Sequence, residues 1–366
     1  MADAKGRAKY YTLMEDLKKN ILSGVIKPGE RIPSENELSA NYAVSRHTVR
    51  KALSILENEG FVVAEHGRGT FCMGRIKQNT KSNNIAVITT YISDYIFPRL
   101  IQGIDSVLTK EGYSIILKNT GNLQKMEAKS LEDILTKNVD GLIIEPSRSE
   151  VYCKHYNLYR MLDDLEIPYV FVQGIYPQFM NKPHILMDDV EGGYLLARYL
   201  IELGHKDIIG IFKVDDYQGK ARHKGYVKAL QEALIPYDPD KVIWFQTEDR
   251  ENKPLVGMKQ IVQSGIKFDS IQCYNDQIAY KLMQYLNKLG IRVPEDVSIT
   301  GYDNSILAET ASVKLTTIAH PKERFGELAA KLLLEKIAGV SEEDSKVERL
   351  LKPELIIRDS CMKRES

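Results

Sequence analysis

Residues 27–72 read KPGERIPSENELSANYAVSRHTVRKALSILENEGFVVAEHGRGTFC, and the organisation of the chain can be worked outward from this stretch. Ser34, followed three residues later by Glu37, is a capping box: each side chain satisfies a free backbone N–H at a helix start. A second helix therefore opens there and runs to about Tyr42. Ala43-Val44 makes a short turn, and Ser45 caps a third helix from Arg46 to Glu59, ended by Gly60. Upstream, Leu13, Leu17, Ile21 and Leu22 recur near the helical period, so Tyr10 to Ser23 predicts a first helix. Gly24 is its C-cap candidate and Pro28-Gly29 a turn. Downstream, Phe61 to Ala64 and Gly69 to Cys72 predict a two-stranded wing around the tip Glu65-His66-Gly67-Arg68.

A short turn between helices two and three is the mark of a helix-turn-helix, whose second helix lays its N-terminal residues against base edges in the major groove. Those residues are Arg46, His47, Thr48, Arg50 and Lys51. Arg46 and Arg50, four apart, share one helix face, while Val49, Leu53 and Leu56 face inward. Arginine bonds bidentately to guanine O6 and N7 and also clamps phosphate. Glycines at 67 and 69 let the wing backbone approach a phosphate or a narrow minor groove. An ordinary hairpin is the plainer reading of the wing alone; the full order of elements favours DNA binding.

Composition agrees. The 366 residues are 43% hydrophobic and 27% charged, which is globular, and their number suggests two or three domains. The 50 Lys and Arg balance the 50 Asp and Glu. The balance is uneven: residues 1–84 hold 14 basic against 9 acidic side chains, a basic head on a mildly acidic body. No apolar run is long enough to span a membrane, and Met1 to Lys9 has no apolar core of a secretory signal. The four cysteines (Cys72, Cys153, Cys273, Cys361) form no C-x-x-C pair, so neither a zinc site nor a disulfide framework is expected. A soluble, cytoplasmic protein is the expectation.

Residues 9–73 resemble the winged helix-turn-helix domain of the GntR family of bacterial regulators. The motifs are P-G-x-x-I-P-S-E, V-S-R-x-T-V-R-x-A-L and G-x-G-T. The resemblance implies DNA contacts at Glu35 and Asn36, at Arg46, Thr48 and Arg50, and at the wing residues His66, Gly67 and Arg68. Asn36 stands where some members carry arginine. Lys9, just ahead of helix one, is a candidate phosphate anchor.

Gly74 to Asn84 (GRIKQNTKSNN) is polar, basic and aperiodic, and reads as a linker. The boundaries are thus a head at 1–74, a linker at 75–84 and a body at 85–366. In the body apolar strands alternate with amphipathic helices. A first series runs from the strand at 85–90 to the strand at 168–172. A second begins at the strand 184–187 and ends at the strand 297–300. Alternating βα units imply doubly wound parallel sheets, and two series imply two lobes enclosing a cleft at their strand ends. The fold class is therefore α/β, a winged helix-turn-helix head plus a two-lobed parallel-sheet body.

Polar residues collect at those strand ends: Tyr91 and Asp94, Glu145, Gln173, Lys213 with Asp215-Asp216, Asn275-Asp276 and Asp303, with Arg222 opening a helix over the same edge. Carboxylates, amides and aromatic faces suit a small polyhydroxylated ligand. Competing structural roles stay open. Asp189 and Asp276 are favoured as N-caps, Asn275 and Asp303 fit turns, and Arg222 fits a surface ion pair.

The strings GHKDIIGIF, RHKGYVKAL, CYNDQIAYKLMQYLNKLGIRVPEDVSITGYDNS and LTTIAHP resemble the effector domain of the LacI/GalR family, which is related to periplasmic sugar-binding proteins. The resemblance implies a periplasmic-binding-protein-like fold for the body and ligand contacts from Arg222, Asn275, Asp303, His320 and Gln173. His320 stands where glutamine is common. The segment near it is expected to cross back to the first lobe. A GntR-type head on a LacI-type body resembles the family of arabinose-responsive repressors. That resemblance implies a homodimer on palindromic operator DNA, with L-arabinose or a related sugar as inducing effector and no cofactor. An enzyme is disfavoured, because P-loop, nucleophile-elbow and H-E-x-x-H patterns are absent, so no catalytic or metal residue is assigned. A solute-binding protein for transport leaves the basic head unexplained. A ligand acting as co-repressor stays open.

Overall fold

The computed structural model describes residues 9–22, 25–27, 29–58, 60–65, 67–72, 81–92, 95–341, 343–345, 347 and 349–364. The sequence assignments at Gly24, Pro28, Glu59, His66 and Asp94, and most of the linker, lie outside these residues.

Three helices form the head: α1 (Lys9–Leu22), α2 (Glu35–Asn41) and α3 (Arg46–Asn58), followed by β1 (Val62–Glu65) and β2 (Gly69–Cys72). The capping box is present: Ser34 Oγ accepts from Glu37 N–H at 3.3 Å, and Glu37 Oε2 accepts from Ser34 N–H at 2.7 Å. Ser45 Oγ caps α3 by accepting from Thr48 N–H at 3.2 Å. Leu13, Leu17, Ile21, Leu38, Val49, Leu53 and Leu56 are buried, so the apolar stripes meet in one small core. β1 and β2 pair antiparallel from Val62↔Cys72 to Glu65↔Gly69. Arg31 adds a bridge to Phe71, so the segment before α2 braces the wing.

The body begins with β3 (Asn84–Thr89), α4 (Phe97–Leu108), β4 (Ser114–Asn119), α5 (Gln124–Leu135), β5 (Gly141–Ile144), α6 (Tyr156–Asp164), β6 (Tyr169–Val172) and β7 (His184–Met187). It continues through α7 (Asp189–Glu202), β8 (Ile208–Lys213), α8 (Tyr217–Glu232), β9 (Val242–Phe245), α9 (Lys253–Ser264), β10 (Ser270–Cys273), α10 (Asp276–Lys288) and β11 (Ser298–Thr300). It ends with α11 (Ile306–Thr310), β12 (Thr317–Ala319), α12 (Lys322–Ile337), β13 (Leu350–Leu351) and β14 (Glu354–Ile356). Lobe 1 holds a parallel sheet in the order β13-β7-β6-β5-β3-β4, and lobe 2 one in the order β11-β10-β8-β9. Alternation along β3 sends Ala86 and Ile88 to one core and Ile85 and Val87 to another, as a sheet covered on both faces requires.

Two expectations are corrected. The strand at 184–187 belongs to lobe 1: it pairs with β6 through Phe171↔His184 and Val172↔Ile185, and the chain crosses to lobe 2 only after it. Periodicity announces a strand but not the sheet it joins. Asp189 and Asp276 are not the caps. Asp188 accepts from Glu191 N–H and Asn275 from Ile278 N–H, so each favoured residue sits one place inside its helix. The return crossing near His320 is present, with α12 packed on α4.

Each lobe contains a close helix crossing on glycine. A Cβ at Gly103 of α4 would lie 2.0 Å from the Glu323 carbonyl oxygen, and one at Gly193 of α7 would lie 2.1 Å from that of Arg222 on α8. Gly193→Ala is therefore expected to push α8 outward and lower stability by about 1–3 kcal/mol, readable by urea unfolding.

Candidate functional site

On the head, Arg46, His47, Arg50 and Lys51 are exposed along the first turns of α3. Arg50 is fixed rather than free: its Nε donates to both carboxylate oxygens of Glu35, at 3.0 and 2.9 Å. Glu35 is thereby occupied at the start of α2, and the Arg50 side chain stays two-thirds exposed. Bonding to Glu35 holds the guanidinium above its ordinary pKa. Lys51 Nζ lies 4.0 Å from the Tyr10 ring centroid, which ties α3 to α1. Asn36 is exposed and Thr48 half-buried, its hydroxyl 2.8 Å from Ser45 Oγ. Lys9 opens α1. At the wing, Arg68 pairs with Glu65 at 2.5 Å, and Gly67 has φ +73°. Gly69, at φ +115°, leaves room for Arg31, whose Nε would be 2.7 Å from a Cβ there. Arg31 is a cation of this surface that motif reading passed over.

Between the lobes lies a cavity of about 980 Å³, counting open solvent at its mouth. Tyr91, Glu145, Gln173, Arg222, Asn275 and Asp303 all line it, so the structure brings these sequence-predicted residues together from six segments. His320 does not line it. That side chain stands behind the wall: Nε2 lies 2.9 Å from Gln173 Oε1, and its ring stacks on Phe325 at 4.7 Å. Burial, with Lys322 and Arg222 nearby, pushes the imidazole down to about 3, so it is neutral and donates from Nε2 to Gln173. Gln173 is then left with a buried Nε2 that has no protein acceptor among the described residues. A buried amide donor facing a polar cavity calls for a ligand oxygen or water.

Arg222, in the second turn of α8, is the centre of the far wall. Its Nε donates to Asp189 Oδ1 at 2.8 Å, its Nη1 to the Tyr274 carbonyl at 2.7 Å, and its Nη2 lies 3.8 Å from Asp303 Oδ1. The guanidinium sits 3.5 Å over the Tyr302 ring. It is a buried cation, not the surface ion pair. Burial raises the Asp189 carboxyl to about 6 despite Arg222, and raises Asp303 as well. Asp303 and Asn304 have φ of +95° and +45°, strain of the kind that concentrates at ligand sites.

The near wall carries Glu145, which accepts from Thr90 N–H at 2.8 Å and Thr90 Oγ1 at 2.7 Å. Burial pushes its carboxyl up to about 7. Lys213, at the end of β8, is buried too. Burial works against its charge, but Asp216 at 3.0 Å and Asp215 at 3.6 Å hold the ammonium above its ordinary pKa. Tyr95 joins the lobes, donating to the Tyr302 carbonyl at 3.0 Å and accepting from Asp276 N–H at 3.2 Å. Lys213 and Asp216 were visible as strand-end polar residues. Arg250, Glu251 and Lys281 at the mouth carried no sequence signal, because they follow irregular backbone or sit mid-helix.

Residues 9–72 match the bacterial regulatory proteins of the gntR family, and residues 197–361 the periplasmic binding protein-like domain. Over 98% of its own length and 98% of the relative's, the chain is 41% identical to the arabinose metabolism transcriptional repressor of Halalkalibacterium halodurans. The chain belongs to the family of arabinose metabolism transcriptional repressors. The member from Geobacillus stearothermophilus is 38% identical over 96% of this chain and 97% of its own. Among solved structures, the transcription regulator CcpA of Lactococcus lactis superposes with a TM-score of 0.67 at 25% identity, covering 76% of this chain and 98% of that one. As a member of this family the chain is a transcriptional repressor that joins a gntR-type head to a periplasmic-binding-protein-like body. No helix among the described residues is long and apolar enough to cross a membrane.

Proposed function

We propose that the protein is a homodimeric, cytoplasmic, non-enzymatic repressor that holds a palindromic operator through two winged heads and lets go when L-arabinose fills the cleft. The observation that carries this reading is the pairing, in one chain, of an exposed arginine face on α3 with a buried polar cavity. Hydroxyls need both donors and acceptors, and Gln173, Lys213, Arg222, Glu145 and Asp303 supply both. Dimerisation is supported by β4, which ends its sheet with Ile115, Ile116 and Leu117 only half-buried. An apolar edge strand is a liability unless something covers it, and a second copy does so symmetrically.

Sugar favours one lobe arrangement, and the heads of a dimer then no longer fit both half-sites together. A coupling of about 1–3 kcal/mol is typical of such linkage, and operator must weaken sugar binding by the same factor. Titrating labelled operator with the full-length protein, with and without L-arabinose, tests the reading. Weaker binding with sugar is the expected result. Tighter binding would make the ligand a co-repressor, and no change despite demonstrated sugar binding would end the proposal.

Two further outcomes follow. Phosphate neutralisation releases counterions, so six or more phosphate contacts per dimer should cost about 10³–10⁵-fold in operator affinity between 50 and 200 mM salt. A flat response would remove α3 and the wing as the DNA surface. Sugar affinity should fall as pH is lowered from 8 to 6, because sugar hydroxyls donate best to an ionised Glu145, whose carboxyl takes its proton near pH 7. Asp276 is raised by burial into the same range, to about 7, so the assignment needs Glu145→Gln, which should flatten the calorimetric pH profile.

A further inference from the structure

Arg148 follows β5 with φ +51°, in the left-handed region, and its side chain reaches Asp215 of lobe 2. Its backbone N–H donates to Asn122 Oδ1 at 2.8 Å. Its Nε donates across the cleft to Asp215 Oδ2 at 3.0 Å, and its Nη2 to Glu248. Asp215 Oδ2 also accepts from Thr247 N–H at 3.1 Å and Thr247 Oγ1 at 2.8 Å. Asn122 Nδ2 donates to Thr247 Oγ1 at 2.8 Å and completes the circuit. Asn122 and Arg148 belong to lobe 1, Asp215 and Thr247 to lobe 2. Four residues thus form one closed hydrogen-bonded ring spanning the two bodies.

Both ends of the ring are anchored. On the lobe 1 side, Ser147 N–H donates to the fully buried Glu127. That carboxylate also accepts from Tyr159 OH at 2.6 Å and Tyr176 OH at 3.0 Å, and lies 2.9 Å from His155 Nε2. On the lobe 2 side, Asp215 neighbours Lys213, which lines the cavity. Burial acts to raise the Asp215 carboxyl, but Lys213, Thr247 and Arg148 together hold it below its ordinary range, so it stays ionised for the pair.

We propose that this ring is an interlobe latch whose positioning residue is Arg148, setting how firmly the cleft closes and so how tightly the effector is held. The inference rests on the effector reading above. Arg148 does not line the cavity, so its influence runs through closure rather than contact. The latch is polar rather than apolar, with the Arg148 side chain 22% exposed. On opening, every member regains water, so desolvation and attraction nearly offset and the ring is reversible. Every partner is a protein group, so the latch operates with or without sugar.

The test uses the full-length dimer in a Cys361→Ser background, since the other three cysteines are buried. Spin labels at Lys129→Cys on α5 and Lys259→Cys on α9, both exposed positions, report lobe separation by pulsed distance measurement. Arg148→Ala should shift the population to longer distances both without and with L-arabinose. It should weaken L-arabinose binding about tenfold by calorimetry and, because operator and sugar favour opposite lobe arrangements, strengthen rather than weaken sugar-free operator binding. Arg148→Lys should restore part of the short-distance population. Thr247→Val should cost a similar factor, and the double variant no more than either single one, because a broken ring is broken once. Unchanged distances and unchanged sugar affinity in Arg148→Ala would overturn the latch. If the unaltered protein binds no L-arabinose, the effector reading fails while the distance distributions still decide the latch.

Discussion

Arg222→Ala is expected to leave the repressor on its operator at every sugar concentration. The guanidinium is the hub of the far wall, reaching Asp189, the Tyr274 carbonyl and Asp303 while lying on the Tyr302 ring. Truncation removes the guanidinium that serves Asp189 and Asp303 and leaves these two buried carboxylates without it. Removing one partner of a buried pair typically costs about 3–5 kcal/mol, because the other charge stays uncompensated. The loss should depend on pH. Asp189 is already raised to about 6 with Arg222 in place, and without it rises further. A carboxyl whose folded pKa exceeds its unfolded value makes folding less favourable as pH climbs from the unfolded to the folded pKa. The variant should therefore be closer to the parent at pH 5 than at pH 8 in urea unfolding. Arg222→Lys keeps the charge but neither the planar stack nor the fork, so it should recover stability more than sugar response. Operator binding by mobility shift should match the parent in both variants. An inducible Arg222→Ala protein would remove this residue from the effector site.

The sequence was most legible where local chemistry decides the outcome. Ser34 with Glu37, and Ser45 ahead of Arg46, are caps that act within three residues, and both formed as expected. It misled where two adjacent residues can serve one role. Asp188-Asp189 and Asn275-Asp276 each offer two caps, and the structure uses the first. The second then turns inward: Asp189 to Arg222, and Asp276 to Ser305 N–H and the Thr317 hydroxyl at the crossing strands. A cap and a site residue sit side by side, and only tertiary packing distinguishes them. His320 shows the converse. It lies in the expected segment, but its ring spends itself on Gln173, so it orients an amide that lines the cavity instead of facing the cavity itself. The interlobe contacts of Tyr95 and Arg148 had no sequence signal at all. Their partners lie more than 60 residues away, and no periodicity encodes a distance of that kind.

Arg50→Ala should cost the repressor its operator while sparing the cleft. Its Nε is held by both oxygens of Glu35, and the side chain stays exposed on the first turns of α3. A bidentate contact to a base is worth about 1–3 kcal/mol. Two heads act on one palindrome, so a dimer loses about 2–6 kcal/mol, enough to abolish binding at working concentrations. Folding should not change. The Arg50 side chain is two-thirds exposed, and such surface pairs contribute little to stability. Calorimetric sugar affinity should be that of the parent, and a fall there would mean that the head and the effector body had been wrongly divided. Glu35→Ala separates positioning from contact: Arg50 keeps its charge but loses its orientation, so operator affinity should fall by less than in Arg50→Ala and the salt slope should stay the same. If Arg50 instead clamps phosphate, Arg50→Ala will weaken all duplexes alike and reduce the salt slope by about one per head. If it reads a base, discrimination between operator and unrelated duplex will shrink at an unchanged slope, which is the outcome expected if α3 enters the major groove as proposed.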